Sequence, residues 1–226
     1  MLALLTPVLL FIAFLLLLLV TLSVPIIKTI YLFSLSAQAS SSLLHSSASV
    51  SFRGGVFGWC TSGADVSLVS IINENTPAEC SKPHLGYSFD STVATALHVD
   101  KFENLISKSL TAALALHPLV VALTFVTLLI SLFMLRRGSN GTSRLPSLLA
   151  LIMGVLTASL TTIVFIIDVA LVALVRKHVH NDTDGVLTLN WGNAVWLTLT
   201  AAILLWIANV GSIAGCLGGN RRRTYV

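Results

Sequence analysis

Long apolar stretches and polar segments divide the chain on a coarse scale. Residues 145–175 are almost wholly apolar, bracketed by Arg144 on one side and Arg176-Lys177 on the other, and interrupted by a single acid, Asp168. At about 1.5 Å rise per residue such a run crosses roughly 30 Å of hydrocarbon with some tilt. A helix satisfies its own backbone hydrogen bonds there, so the pattern predicts a spanning helix. Residues 2–27 form a second apolar run, broken only by Thr6, Pro7, Thr21, Ser23 and Pro25. A third ends at Arg136-Arg137, and a fourth precedes Gly218-Gly219-Asn220. The expected organisation is transmembrane helices over 1–27, 112–135, 147–175 and 194–217, with loops over 28–111, 136–146 and 176–193 and a tail over 218–226.

The long polar segment carries its own signals. Residues 34–49 are rich in serine and read as a flexible or surface-adsorbed connector. Val50, Phe52, Val56, Phe57 and Trp59 surround Gly54, Gly55 and Gly58, which predicts strands with a bulge or tight bend. Residues 66–72 are a further strand candidate, closed by the turn-forming run Asn73-Glu74-Asn75-Thr76-Pro77. From Ser91 the period changes: Val93, Leu97, Phe102, Leu105, Ile106 and Leu110 approximate a helical stripe that leads into the second span.

Composition places the chain among membrane proteins. Hydrophobic residues make up 55% and charged residues 10%, with mean hydropathy +0.92. The net charge of +4 is concentrated in two clusters without neighbouring acids, Arg136, Arg137 and Arg144, then Arg221, Arg222 and Arg223. That distribution is the positive-inside pattern and not a nucleic-acid footprint. It assigns both clusters, and with four spans both termini, to the cytosol. Ala37-Gln38-Ala39 looks like a signal cleavage site but lies well beyond the apolar run, which also lacks a basic start, so a retained first span is expected.

Cys60 and Cys80 fall in the outer segment, where a disulfide is the preferred reading over two unpaired thiols. Cys216, at the cytosolic end of the fourth span, is a candidate for S-acylation or a plain buried thiol. Gly211, Gly215 and Gly219 repeat every fourth residue and form a ridge suited to close helix packing, within the chain or with a second copy. Depth arithmetic puts His117 about 7–8 Å and Asp168 about 12 Å outward of their span midpoints. The two are therefore expected as an intramembrane polar pair sensitive to outside pH, against the plainer reading of an Asp that hydrogen-bonds locally. Asn181-Asp182-Thr183 is the glycosylation sequon that this topology turns outward, making Asn181 its acceptor. No catalytic constellation, metal motif or cofactor cradle is present, so no metal, no cofactor and no enzyme activity are expected.

Several short motifs in order carry a family resemblance. Gly55-Val56-Phe57-Gly58-Trp59-Cys60 followed by Cys80 resembles the outer-loop signature of the fungal PalI family of four-span membrane proteins. The similarity continues through Ser109-Leu110-Thr111 and Leu114-Ala115-Leu116-His117-Pro118. It extends to Phe165-Ile166-Ile167-Asp168 and Gly192-Asn193-Ala194-Val195-Trp196-Leu197. The family is similar in architecture to claudins. The resemblance implies a mainly α membrane protein: a four-transmembrane-helix bundle with a small, disulfide-clasped, β-containing extracellular loop, in which Gly55, Gly58 and Trp59 form the loop motif. It implies a plasma-membrane protein of one of two kinds, an accessory to ambient-pH sensing and signalling or an eisosome-type organiser of cortical membrane domains and cell wall. A small transporter or channel subunit is a third reading, prompted by Asp168 alone. The expected partners are the lipid bilayer, other membrane proteins and further copies of the chain, and no nucleic acid.

Overall fold

The computed structural model describes residues 2–41, 46–61, 80–83, 103–137, 144–182 and 187–221. Four helices carry most of these residues: α1 over Leu2–Thr21, α2 over Glu103–Arg137, α3 over Arg144–Asp182 and α4 over Asn193–Arg221. Three contain stretches long and apolar enough to cross a membrane, at Leu114–Met134, Leu148–Lys177 and Asn193–Ser212. In α1 the apolar stretch is shorter, Leu5–Thr21. That helix ends at Thr21, earlier than the apolar run itself, because residues 22–30 leave the helical path in turns around a cis Val24-Pro25 bond. The helix before the second span, expected to run close to or directly into it, is continuous with it from Glu103, giving the 35 residues of α2. The third apolar helix continues beyond the expected boundary, through Arg176 and Lys177 to Asp182.

The chain divides into two compact units, one made of residues 1–18, 116–166 and 196–226, the other of 19–115 and 167–195. In the first, all four helices contribute to one core: Leu10, Ala13 and Leu17 from α1, Val120 and Leu128 from α2, Ala158 and Val164 from α3, and Ala201, Leu205 and Ala208 from α4. Four of these ten are alanines, which let helix backbones approach where lipid offers no hydrophobic drive for association. Hydroxyls within the helices donate to the carbonyl one turn back, as in Thr124 to Val120 (2.7 Å), Thr157 to Met153 (2.7 Å) and Thr161 to Thr157 (2.7 Å). Such bonds satisfy the hydroxyl without water. Cross-helix bonds add register: Thr127 Oγ1 lies 3.2 Å from Thr157 Oγ1, and Trp206 Nε1 donates to Thr162 Oγ1 at 3.1 Å.

The second unit holds an antiparallel sheet of β1 (Phe33–Ser41), β2 (Ser46–Gly54), β3 (Trp59–Thr61) and β4 (Leu187–Trp191), in the order β3-β2-β1-β4. This corrects the connector reading of residues 34–49 where they are described: 34–41 belong to β1 and 46–49 to β2, paired from Phe33 opposite Gly54 to Ser41 opposite Ser46. The reason is a period of two hidden under the serine content. Phe33, Leu35, Ala37 and Ala39 alternate with Ser34, Ser36, Gln38 and Ser40, and the same alternation runs through Ser47 to Phe52. It also corrects the second loop, whose residues 187–191 form the edge strand β4 against β1, with Phe33 opposite Trp191. Phe33, Phe52 and Trp59 make an aromatic strip across three strands, with centroids 6.1 Å and 5.6 Å apart. The strand candidate at 66–72 lies outside the described residues, as does the start of the helical stripe at 91–102.

Candidate functional site

Two of the quoted motifs, the one from Gly55 to Cys60 with Cys80 and the one that opens at Gly192-Asn193, meet at one corner of the second unit. After α1 the chain coils tightly, with Ile27 N donating to Leu22 O (3.0 Å) and Val24 N to Ile30 O (2.9 Å). This coil presents Ser23, wholly buried, whose Oγ accepts from Val56 N at 3.0 Å. Val56 belongs to the turn between β2 and β3, which Gly55 N closes on Gly58 O at 2.8 Å. Both glycines are required there. A Cβ on Gly55 would strike the carbonyl oxygen of Val24 and lie 2.7 Å from its nitrogen. Gly58 has φ +153°, a region that L side chains rarely adopt, and a Cβ there would strike Ser81 Oγ.

From this turn the motif is locked outward. Trp59 N donates to Ser81 Oγ at 3.0 Å and Ser81 N returns a bond to Trp59 O at 2.9 Å. Beside them Cys60 and Cys80 form the expected disulfide. On the other flank Leu32 N donates to Gly54 O (2.7 Å) and Gly192 N to Leu32 O (2.9 Å). Asn193, the first residue of α4, spends both ends of its amide on the same segment: Oδ1 accepts from Tyr31 N at 3.0 Å and Nδ2 donates to Thr29 O at 2.8 Å. Ala194 N adds a bond to Tyr31 O at 3.1 Å. The corner is therefore a backbone clasp tying residues 23–32, 54–60, 80–81 and 192–194, and its chemistry is structural. Among the described residues no group of three His, Cys, Asp or Glu is placed to hold a metal ion.

Among the described residues of the apolar helices two ionisable side chains are almost fully buried, His117 of α2 at 3% exposure and Asp168 of α3 at 2%. His117 belongs to the helical unit and Asp168 to the unit that holds the sheet. The glycine ridge begins at Gly211, where an added Cβ would meet Thr6 Oγ1 of α1 at 3.5 Å, an ordinary contact. Gly215, Cys216 and Gly219 follow in the last turns of α4, and Asn181 sits in the last turn of α3; their side chains lie outside the described residues.

The tightest helix approach is elsewhere and was not evident in sequence. A Cβ on Gly154 of α3 would strike Oδ1 of Asn209, a buried residue whose Nδ2 donates to Leu205 O at 2.9 Å. A lone glycine in an apolar run gives no repeat to detect, although a buried asparagine in such a run is a signal in itself. Gly154→Ala is expected to lower bundle stability by about 1–2 kcal/mol through overpacking. Asn209→Ala in the same chain is expected to restore part of that loss, whereas Gly211→Ala leaves the melting temperature in detergent near wild type. A double-mutant cycle on purified protein measures the coupling.

Apolar helices long enough to span a bilayer, a shared four-helix core and a disulfide-clasped sheet define a multi-helix membrane protein with a small folded loop domain. The SUR7/PalI family model matches residues 2–208, and the chain belongs to that family. No curated protein matches the chain. The family is not one of known enzymes.

Proposed function

We propose that this protein is a non-catalytic plasma-membrane accessory. In this reading it crosses the bilayer four times with both termini in the cytosol and supports ambient-pH signalling by packing laterally against a sensor complex. The observation that carries the reading is the burial of His117 and Asp168 inside apolar helices of a SUR7/PalI family member. An ionisable side chain inside an apolar spanning helix carries an energetic cost, so one kept there is a functional candidate.

The test is growth of a fungal deletion strain across external pH, complemented by the wild-type chain, His117→Ala or Asp168→Asn. The expected result is failure of the deletion strain at alkaline pH, rescue by wild type, and loss of rescue by either variant although both reach the cell surface in normal amount. Normal alkaline growth of the deletion strain together with punctate cortical patches of the tagged protein would overturn this reading and select the eisosome-type organiser of membrane domains. Proton or ion flux from purified protein in vesicles would select a transporter or channel subunit instead.

A further inference from the structure

Beside the clasp, exposed apolar and cationic groups lie together at a point where the sequence leaves its first apolar run. Ile26 is 51% exposed in the turn that follows α1, and Lys28, two residues on, is exposed as well. Arg53 of β2 reaches the same turn: its Nη1 donates to Lys28 O at 3.5 Å, and its guanidinium lies over the Tyr31 ring, 5.3 Å from the centroid. The ring and the carbonyl hold the guanidinium in one place, yet Arg53 remains exposed and one of its five N–H donors serves the Lys28 carbonyl. Over its full sequence this unit carries both signs of charge, so the positive character is local: Lys28 and Arg53 meet at this turn, whereas Arg176 and Lys177 are exposed at the end of α3.

An exposed isoleucine beside two cations, one of them a fixed planar fork, matches the boundary between acyl chain and headgroup in a bilayer leaflet. Arginine pairs with phosphate through two parallel N–H donors, and lysine adds a second positive charge. We propose that the Ile26–Lys28–Arg53 corner binds the phosphate of an anionic phospholipid in the adjoining leaflet, with Ile26 inserted among its acyl chains. The proposal rests on the membrane-spanning reading above and deepens it by assigning a lipid class to the clasp.

The experiment uses the full chain purified and reconstituted into vesicles of phosphatidylcholine and phosphatidylinositol in equal amounts, with retained lipids identified by native mass spectrometry. Wild type is expected to retain phosphatidylinositol in preference to phosphatidylcholine. Arg53→Gln and Lys28→Gln are each expected to lower that preference about fivefold, the effect of one cation near a charged membrane surface. Arg176→Gln, which removes the same charge elsewhere in the unit, is expected to leave it unchanged. Equal retention of both lipids by wild type would overturn the proposal, as would equal losses in all three variants. Displacement of the lipid by soluble inositol phosphate at matched concentration would overturn it in favour of a free anion site. Protease protection of the same vesicles reads the spanning topology separately, so failure of the topology and failure of the lipid site give different results.

Discussion

Gly55→Ala is expected to prevent the loop domain from folding, with a loss of about 3 kcal/mol or more, the upper end for overpacking. The reason is the nature of what the new methyl would meet. At Gly154 the obstacle is the end of an asparagine side chain, which can turn away. At Gly55 it is the carbonyl oxygen and nitrogen of Val24, with Ser23 Oγ at 2.9 Å, so the main chain itself would have to move. That movement would break the bond from Val56 N to Ser23 Oγ and leave a wholly buried hydroxyl to find another donor. A loss of that size shifts the folded fraction by about two orders of magnitude. The checks are the melting temperature in detergent and the amount at the cell surface, where wild-type behaviour of Gly55→Ala would contradict the clasp.

Removing the disulfide is expected to have an effect of similar size. Cys60 and Cys80 are separated by 20 residues, and closing a loop of that length contributes about 3 kcal/mol in the chain-entropy account. Cys60→Ser, Cys80→Ser and the double variant should be equally destabilised, because each removes the same covalent link. The measurable outcome is a common drop in melting temperature for the three variants. Wild type treated with reductant should fall to the same value, and a single variant much worse than the double would instead point to a reactive leftover thiol.

How much of this was legible in sequence varied with the physical range of the signal. The apolar helices α2, α3 and α4 were legible because membrane spans need long uninterrupted apolar runs, and basic residues mark where α2 ends and α3 begins, whereas α1 is shorter than the run that predicted it. The clasp was half legible. Gly55, Gly58 and Trp59 mark a tight turn locally, but their partners Ser23, Val24 and Ser81 lie far along the chain, and no local pattern points to them. Strand β1 and the first half of β2 were missed because their serines resembled a linker by composition, whereas Val50 and Phe52 in the second half of β2 did signal a strand. The apolar residues between them are small, mostly alanine, so the alternation carried little hydrophobic contrast. At Asn193 the sequence displayed a residue suited to a helix start, while its two bonds to Thr29 and Tyr31 depend on chain more than 160 residues away.

The pairing of β1 with β4 also sets a timetable for biogenesis. Ser36 and Thr188, bonded through their hydroxyls, are 152 residues apart in the chain, and helices α2 and α3 are synthesised between them. The β1 flank that receives β4 therefore waits, with its hydrogen-bonding groups unmatched by that strand, until the ribosome has delivered Leu187–Trp191. Completion of the sheet thus requires that both intervening helices have been made, so this pairing, unlike the β1–β2 hairpin, closes late.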